Sequence, residues 1–130
     1  MTIQEHINYW IAIADNDLPV AETLFKKKYF VWSLYICHLI LEKIIKAHYV
    51  KDNQETPPKI HDLLKLSERI NIEFDSDTIR FFKVMNRFCI EARYPEYKQD
   101  LEKLCTYKYS KEQFNKTKEI FTWLKSLLIS

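Results

Sequence analysis

Ionisable side chains at helical spacing are the residues of this chain that could do chemistry. One polar stripe runs through an otherwise apolar segment and recurs every three or four positions, at Tyr35, His38, Glu42, Lys46 and Tyr49. This spacing places the stripe on one face of a helix. Because an unpaired charge is costly to bury, the stripe predicts either a ligand-binding site or an internal Glu42–Lys46 pair.

A second line of residues at helical spacing carries two polar members, Asn86 and Arg93, among the apolar Phe82 and Cys89. The guanidinium of Arg93 offers a planar fork that suits a phosphate group. Its alternative, structural roles are to bond the last carbonyls of the helix or to pair with Glu42. The opposite face of this helix is expected to be solvated, and it carries Arg80, Lys83, Arg87 and Glu91.

His61 and Asp62 follow a polar loop that ends in two prolines. Asp62 suits a helix N-terminus and His61 could cap it, so a structural role is the default expectation for this pair. The four histidines lack HxxxH spacing and the three cysteines lack CxxC spacing, so we predict no metal site. The chain contains no glycine, which excludes a Gly-rich phosphate loop.

The composition predicts one all-α domain over residues 1–130. A chain of this length can bury roughly two thirds of its unfolded surface and so form a core. Without glycine, tight hairpins are hard to make, and we expect an up-and-down bundle of four or five helices. The net charge of only +2 is unlike that of a nucleic-acid coat. The odd cysteine count and the absence of an export signal or a spanning segment favour the cytoplasm over a membrane.

Apolar periodicity predicts the longer helices in the first half of the chain. We expect a first helix over about 4–27, kinked at Pro19, and a central second helix over about 30–50. A loop over 51–59 then leads to a short third helix that begins near Leu63.

The second half of the chain is predicted to hold two longer helices. Asp75 or Ser76 can cap a fourth helix in which Ile79 faces inward. Residues 96–109 are ambiguous between a loop and a short helical turn. Ser110 opens a capping box for a final helix. That helix is expected to leave an exposed apolar strip, suited to a homodimer, around Phe121, Trp123, Leu124 and Leu128.

Four short motifs, taken in their order and spacing, resemble those of the HEPN domain family. They are Asp17-Leu18 with Ala21, Glu42-Lys43 with Lys46-Ala47, His61-Asp62-Leu63, and Ala92-Arg93-Tyr94-Pro95. The resemblance implies a bundle of four or five helices, nucleotide binding and frequent homodimerisation. In bacteria it also implies a neighbouring gene for a minimal nucleotidyltransferase, as part of a toxin–antitoxin pair.

Many members of this family are metal-independent ribonucleases that use an arginine and a nearby histidine in the region of the fourth helix. Here Arg87 has no histidine at the family's spacing, and the residue six positions later is Arg93. A guanidinium stays protonated and cannot act as a general base. The resemblance is therefore to a branch that has an ARYP motif and lacks the ribonuclease histidine, and we predict no catalytic residues.

We therefore expect a HEPN-like domain that binds a nucleotide or nucleotide-like anion, or partners a nucleotidyltransferase, without catalysis of its own. No cofactor is expected. One alternative is an RNA-cleaving toxin, in which His61 or a second subunit's histidine approaches Arg87 or Arg93. Another is a non-binding dimeric scaffold whose polar residues form a core ion-pair network. The expected nucleotide-binding residues are Glu42, Lys43, Lys46, His61, Asn86 and Arg93, with Glu42 and Asn86 orienting the other four.

Overall fold

Six α-helices make up the described part of the chain. The structure is a computed structural model, and it describes residues 1–129. Within that range there is no strand, and the prediction of an all-α helical bundle is confirmed. The helices are α1 (Ile3–Lys26), α2 (Phe30–Asn53), α3 (Leu63–Ser67), α4 (Ser76–Glu91), α5 (Pro95–Leu104) and α6 (Tyr107–Leu128).

The central position of α2 organises the bundle. This helix packs against each of the other five described helices, and most of its side chains are buried. Its apolar residues cover most sides, which is the pattern of a helix with neighbours all round. Two polar contacts add to the packing. Ser33 Oγ donates to the carbonyl oxygen of Ala21 in α1 at 2.7 Å, and His48 Nε2 lies 2.8 Å from that of Leu124 in α6.

Capping residues fix where the helices begin. Thr2, Asp62, Asp75 and Thr106 each accept a hydrogen bond from a backbone amide in the first turn of the helix that follows. Pro95 stands at the first position of α5, where a helix does not need the missing N–H. The chain therefore starts most of its helices with residues that satisfy otherwise free amides.

Two helices end in a left-handed residue although the chain has no glycine. Lys28 follows α1 with φ 67°, and Gln54 follows α2 with φ 55°. This conformation closes a helix end, as the Tyr29 amide shows by bonding to the Leu24 carbonyl oxygen at 2.9 Å. A β-carbon in this conformation costs about 1–2 kcal/mol, which the packing of the bundle must offset at both positions.

The predicted start of the last helix is wrong. The capping box at Ser110 fits the sequence pattern, yet α6 already begins at Tyr107, and the amide of Tyr109 bonds to Thr106 Oγ1 at 3.2 Å. Ser110 is buried inside the helix instead. The ambiguous region before it contains a regular helix, α5, which buries Leu101.

The predicted inward orientation of Ile79 is also wrong, since this side chain is 44% exposed. At about 100° per residue, Ile79 lies about 120° around α4 from Met85, which is at the middle of the buried face. Asn86 lies at about 100° from Met85 by the same measure and is half-buried. Arg93 follows two residues after the end of α4 and is exposed. These two polar residues therefore stand at the border between core and solvent.

Candidate anion-binding site

A shallow cleft between the start of α3 and the C-terminal half of α4 brings together residues from two parts of the sequence. We call it the α4 cleft. Its two adjoining depressions measure about 100 and 150 Å³. Pockets that enclose a small molecule usually measure about 300–1,000 Å³, so this cleft can hold a phosphate group but not a whole nucleotide. The lining residues are His61, Asp62, Asn86, Cys89, Ile90, Arg93 and Tyr94.

Glu42 is a buried carboxylate that links α2 to the cleft. Its Oε2 accepts a hydrogen bond from Lys46 Nζ at 2.9 Å, and its Oε1 lies 2.9 Å from His61 Nδ1. The Glu42 side chain is only 7% exposed, so its charge depends on these partners more than on water. The predicted Glu42–Lys46 pair is confirmed. The alternative pairing of Glu42 with Arg93 is wrong.

His38 supports the cleft from inside the bundle. Its Nε2 lies 2.9 Å from the backbone carbonyl oxygen of His61, so Nε2 carries the ring hydrogen and donates a hydrogen bond to that oxygen. Its Nδ1 lies 3.9 Å from Glu42 Oε1 and has no hydrogen-bond partner among residues 1–129. Burial lowers the pKa of His38, which keeps the ring neutral at neutral pH. His38 therefore holds the backbone of His61 without adding a charge.

His61 is the accessible histidine of the cleft. Its side chain is 58% exposed, and its Nδ1 donates to the Glu42 carboxylate. Nε2 is then the ring nitrogen that a ligand can reach. A carboxylate on one nitrogen fixes the orientation of the ring. His61 can therefore donate a charged hydrogen bond to an anion when it is protonated, or accept a proton at Nε2 when it is neutral.

Asn86 holds the start of α3 against α4. Its Oδ1 accepts from the Leu63 amide at 2.9 Å, and its Nδ2 donates to Asp62 Oδ1 at 2.9 Å. The same Asp62 oxygen accepts from the Leu64 amide at 2.9 Å and caps α3. Because both ends of the Asn86 amide are engaged, this residue positions the neighbouring His61. The orienting role in anion binding that the sequence predicts for Asn86 stays a prediction.

Arg93 is the permanent cation of the cleft. Its Nη2 donates to Cys89 Sγ at 3.5 Å, and its guanidinium lies 5.7 Å from the centre of the Tyr35 ring. Tyr35 and Cys89 raise the pKa of Arg93 above its usual value. The residue is exposed, and no carboxylate among residues 1–129 forms a salt bridge with it. Its charge is therefore available to an anion.

The two lysines that the sequence predicts as anion contacts do not line the cleft. Lys43 forms an ion pair with Asp17 of α1 and so joins the first two helices. Lys46 is buried, pairs with Glu42 and lies 5.5 Å from the centre of the Trp10 ring. Of the predicted residues, the structure brings His61, Asn86 and Arg93 to the cleft and places Glu42 beneath it.

Besides Asp62, which the sequence predicts as a helix cap, four residues of this region were not predicted as part of the site. His38 and Cys89 carried a signal, since each precedes a predicted residue by one helical turn. Ile90 and Tyr94 carried none, because exposed apolar residues look like core residues in a sequence.

In the described range, no three His, Cys, Asp or Glu side chains cluster as metal ligands. Nor does any helix there have the length and apolarity needed to cross a bilayer.

Comparison with known proteins identifies the fold. The sequence-family model of the HEPN domain matches residues 7–127 of this chain. The chain belongs to the HEPN domain family. The resemblance seen in its motifs is thereby confirmed, and its match to an ARYP branch stays a prediction. No curated protein matches the sequence.

Two solved structures share this HEPN fold. One is TT1696 from Thermus thermophilus, with a TM-score of 0.77 and 15% identity over 93% of this chain and 97% of that chain. The other is ST0689, described as an archaeal HEPN homologue, with a TM-score of 0.70 and 18% identity over 95% of this chain and 98% of that chain. At these identities the likeness shows the fold alone.

Proposed function

We propose that this HEPN domain binds a nucleotide or nucleotide-like anion at the α4 cleft and has no catalysis of its own. The proposal is carried by one observation, which is that His61 and Arg93 share one phosphate-sized depression. Glu42 already holds His61, and Cys89 already contacts Arg93. Side chains that are held in place lose less conformational freedom when they bind.

Apolar surface beside the cations would contact the rest of the ligand. Ile90 is 62% exposed and Tyr94 is 49% exposed, and both line the same depression. The Tyr94 ring contacts Tyr97 edge to face, with ring centres 6.3 Å apart. An exposed aromatic face beside a fixed cation is an arrangement that binds bases and phosphates together. A nucleotide would thus place its phosphate in the cleft and its base on the surface.

Thermal unfolding with and without ATP tests this proposal. Removing a charge-assisted hydrogen bond costs on the order of 1.5–3 kcal/mol of binding, so Arg93→Ala should lose most of the rise in Tm that ATP gives the wild type. Arg87→Ala is the matched control, because Arg87 is an arginine of the preceding α4 that pairs with Glu91 on the solvated face. The control should keep the ATP effect. No ATP effect in the wild type would contradict nucleotide binding.

A protein partner is the second form of this proposal, in which the domain binds a minimal nucleotidyltransferase. Family membership supports it, and the exposed Ile90 beside the cleft gives such a partner an apolar contact. Co-expression with a nucleotidyltransferase encoded by a neighbouring gene should give one complex in size-exclusion chromatography. Ile90→Asp should weaken that complex, whereas Ile79→Asp, an exposed isoleucine elsewhere on α4, should not. Equal effects of the two variants on the complex would argue against the cleft as the surface that binds the nucleotidyltransferase.

RNA cleavage is a second candidate function, favoured by the closeness of His61 and Arg93 in the folded chain. The carboxylate of Glu42 holds His61 so that Nε2 is free to take a proton, and Arg93 could stabilise charge on a phosphate. The non-catalytic proposal expects single-stranded RNA to stay intact at neutral pH, with or without divalent metal. RNA cleavage by the wild type that is lost in His61→Ala and kept in His6→Ala would contradict the non-catalytic proposal and support a ribonuclease function.

A further inference from the structure

A separate cavity of about 330 Å³ lies between the start of α2 and α5. It shares no lining residue with the α4 cleft. Its volume falls within the range of pockets that enclose small molecules, about 300–1,000 Å³. We call it the Trp32 cavity, and it is lined by Lys28, Tyr29, Phe30, Val31, Trp32, Lys98, Glu102 and Cys105.

We propose that the Trp32 cavity binds a small organic anion with a flat apolar body. The apolar part of the proposal rests on the wall. Trp32 is 37% exposed and Tyr29 is 57% exposed, so two large rings at this cavity remain in contact with water. Covering aromatic surface of this kind is favourable in proportion to the area removed from water. A flat organic body would cover it, and an inorganic ion would not.

The anionic part of the proposal rests on two lysines. Lys98 Nζ lies 4.6 Å from the centre of the Trp32 ring, which holds this ammonium at the wall of the cavity. Lys28 adds a second positive charge. Glu102 Oε1 lies 3.9 Å from Lys98 Nζ and offsets part of the charge, so the lining keeps a net charge of one positive unit. An acidic group of the ligand would compete with Glu102 for Lys98.

Cys105 contributes no opposing charge to the cavity. Burial raises the pKa of this thiol to about 11, so it stays protonated at neutral pH. A neutral thiol behaves as a small apolar group. The cavity therefore combines an apolar lining with ammonium groups, which suits an aromatic carboxylate or an aromatic phosphate ester.

NMR of the full chain provides the test, through the indole N–H signal of Trp32. The signal is assigned by its loss in Trp32→Phe and checked by the retention of the Trp10 and Trp123 signals. The probes are 2-naphthoate, 2-naphthyl phosphate and the uncharged 2-naphthalenemethanol. We expect both anions to shift the Trp32 signal at concentrations at least roughly tenfold lower than the neutral probe, the factor that one charge-assisted contact supplies. The stronger of the two anions identifies the acidic group.

Charge variants of the lining give the sharper control. Lys98→Gln should weaken anion binding roughly tenfold or more, and Glu102→Gln should strengthen it because Lys98 is then unpaired. Lys103→Gln removes an exposed lysine of α5 outside the lining and should change nothing. Arg93→Gln should also leave the naphthyl affinity unchanged, which separates this cavity from the α4 cleft. Equal binding of the neutral probe, or no effect of Lys98→Gln in a chain whose other signals are unmoved, would overturn the proposal.

Discussion

Replacement of Lys46 by methionine tests how the buried ion pair beneath the α4 cleft contributes to folding. Methionine has about the length of the lysine stem, so it can keep the packing against Trp10 while removing the charge. The change leaves Glu42 with one partner fewer, since only His61 Nδ1 remains within hydrogen-bond distance. Glu42→Gln is the reciprocal change, and it leaves the buried Lys46 without a paired carboxylate among residues 1–129.

The geometry sets the expected magnitudes. At 2.9 Å and an effective dielectric constant of about 20, the pair attracts by about 6 kcal/mol, which is offset by several kcal/mol of desolvation for each ion. The intact pair therefore contributes little net stability. Breaking it costs about 3–5 kcal/mol, because one buried charge then loses its partner. We expect Lys46→Met near the lower value, since His61 still serves Glu42, and Glu42→Gln near the upper value.

Urea unfolding followed by circular dichroism at pH 7 measures these losses, provided that the m-value is unchanged. The double variant Glu42→Gln with Lys46→Met should be at least about 2 kcal/mol more stable than the sum of the two single losses predicts. Lys83→Met, on the exposed face of α4, should change stability by less than about 0.5 kcal/mol. A loss below about 1 kcal/mol for Lys46→Met, or additive losses in the double variant, would refute this reasoning.

Three further outcomes are expected. The free energy of unfolding should fall as the pH drops below about 6.5, because burial lowers the folded-state pKa of His38 and His48 and the unfolded chain then binds more protons. Urea titrations at pH 7 and pH 5 should show a smaller fall in this free energy for His48→Gln than for the wild type. Gln54→Gly should raise the unfolding free energy by about 1 kcal/mol, while Gln54→Ala, which keeps the β-carbon, should not. The chain should sediment as a homodimer that Trp123→Glu dissociates, and a 15.8 kDa species alone at micromolar concentration would contradict this.

Local spacing was enough to predict the ion pair beneath the cleft and the helix that carries it. The Glu42–Lys46 pair connects positions four apart on one helix, so its geometry is fixed once α2 forms. The central position of α2 followed from apolar residues on most of its sides. The contact between Glu42 and His61 joins residues on different elements, and no local pattern specifies such a contact.

The wrong expectations concern side chains near the border of a buried helix face, where the sequence pattern does not say whether the side chain is buried or exposed. The sequence allowed Arg93 to point either into the interior or to the edge of the cleft, and its exposed position just after the end of α4 places it at the edge. The same holds for the exposed apolar strip that was expected on α6. Trp123 is exposed there, whereas Phe121 and Leu124 are buried. Periodicity identifies an apolar face, but the packing of neighbouring helices decides how much of that face stays open.

The position of Arg93 at the edge makes the binding function separable from folding. Glu42 has its partners in Lys46 and His61, so Arg93→Ala leaves no buried charge unpaired and should cost less than about 1 kcal/mol of stability. Changes at Glu42 or Lys46 alter the core, and any loss of binding they cause would be mixed with a loss of folded protein. A structural role for the polar network and a binding role for the cleft are therefore compatible, because different residues carry them. Arg93 is the position at which nucleotide binding can be tested without disturbing the bundle.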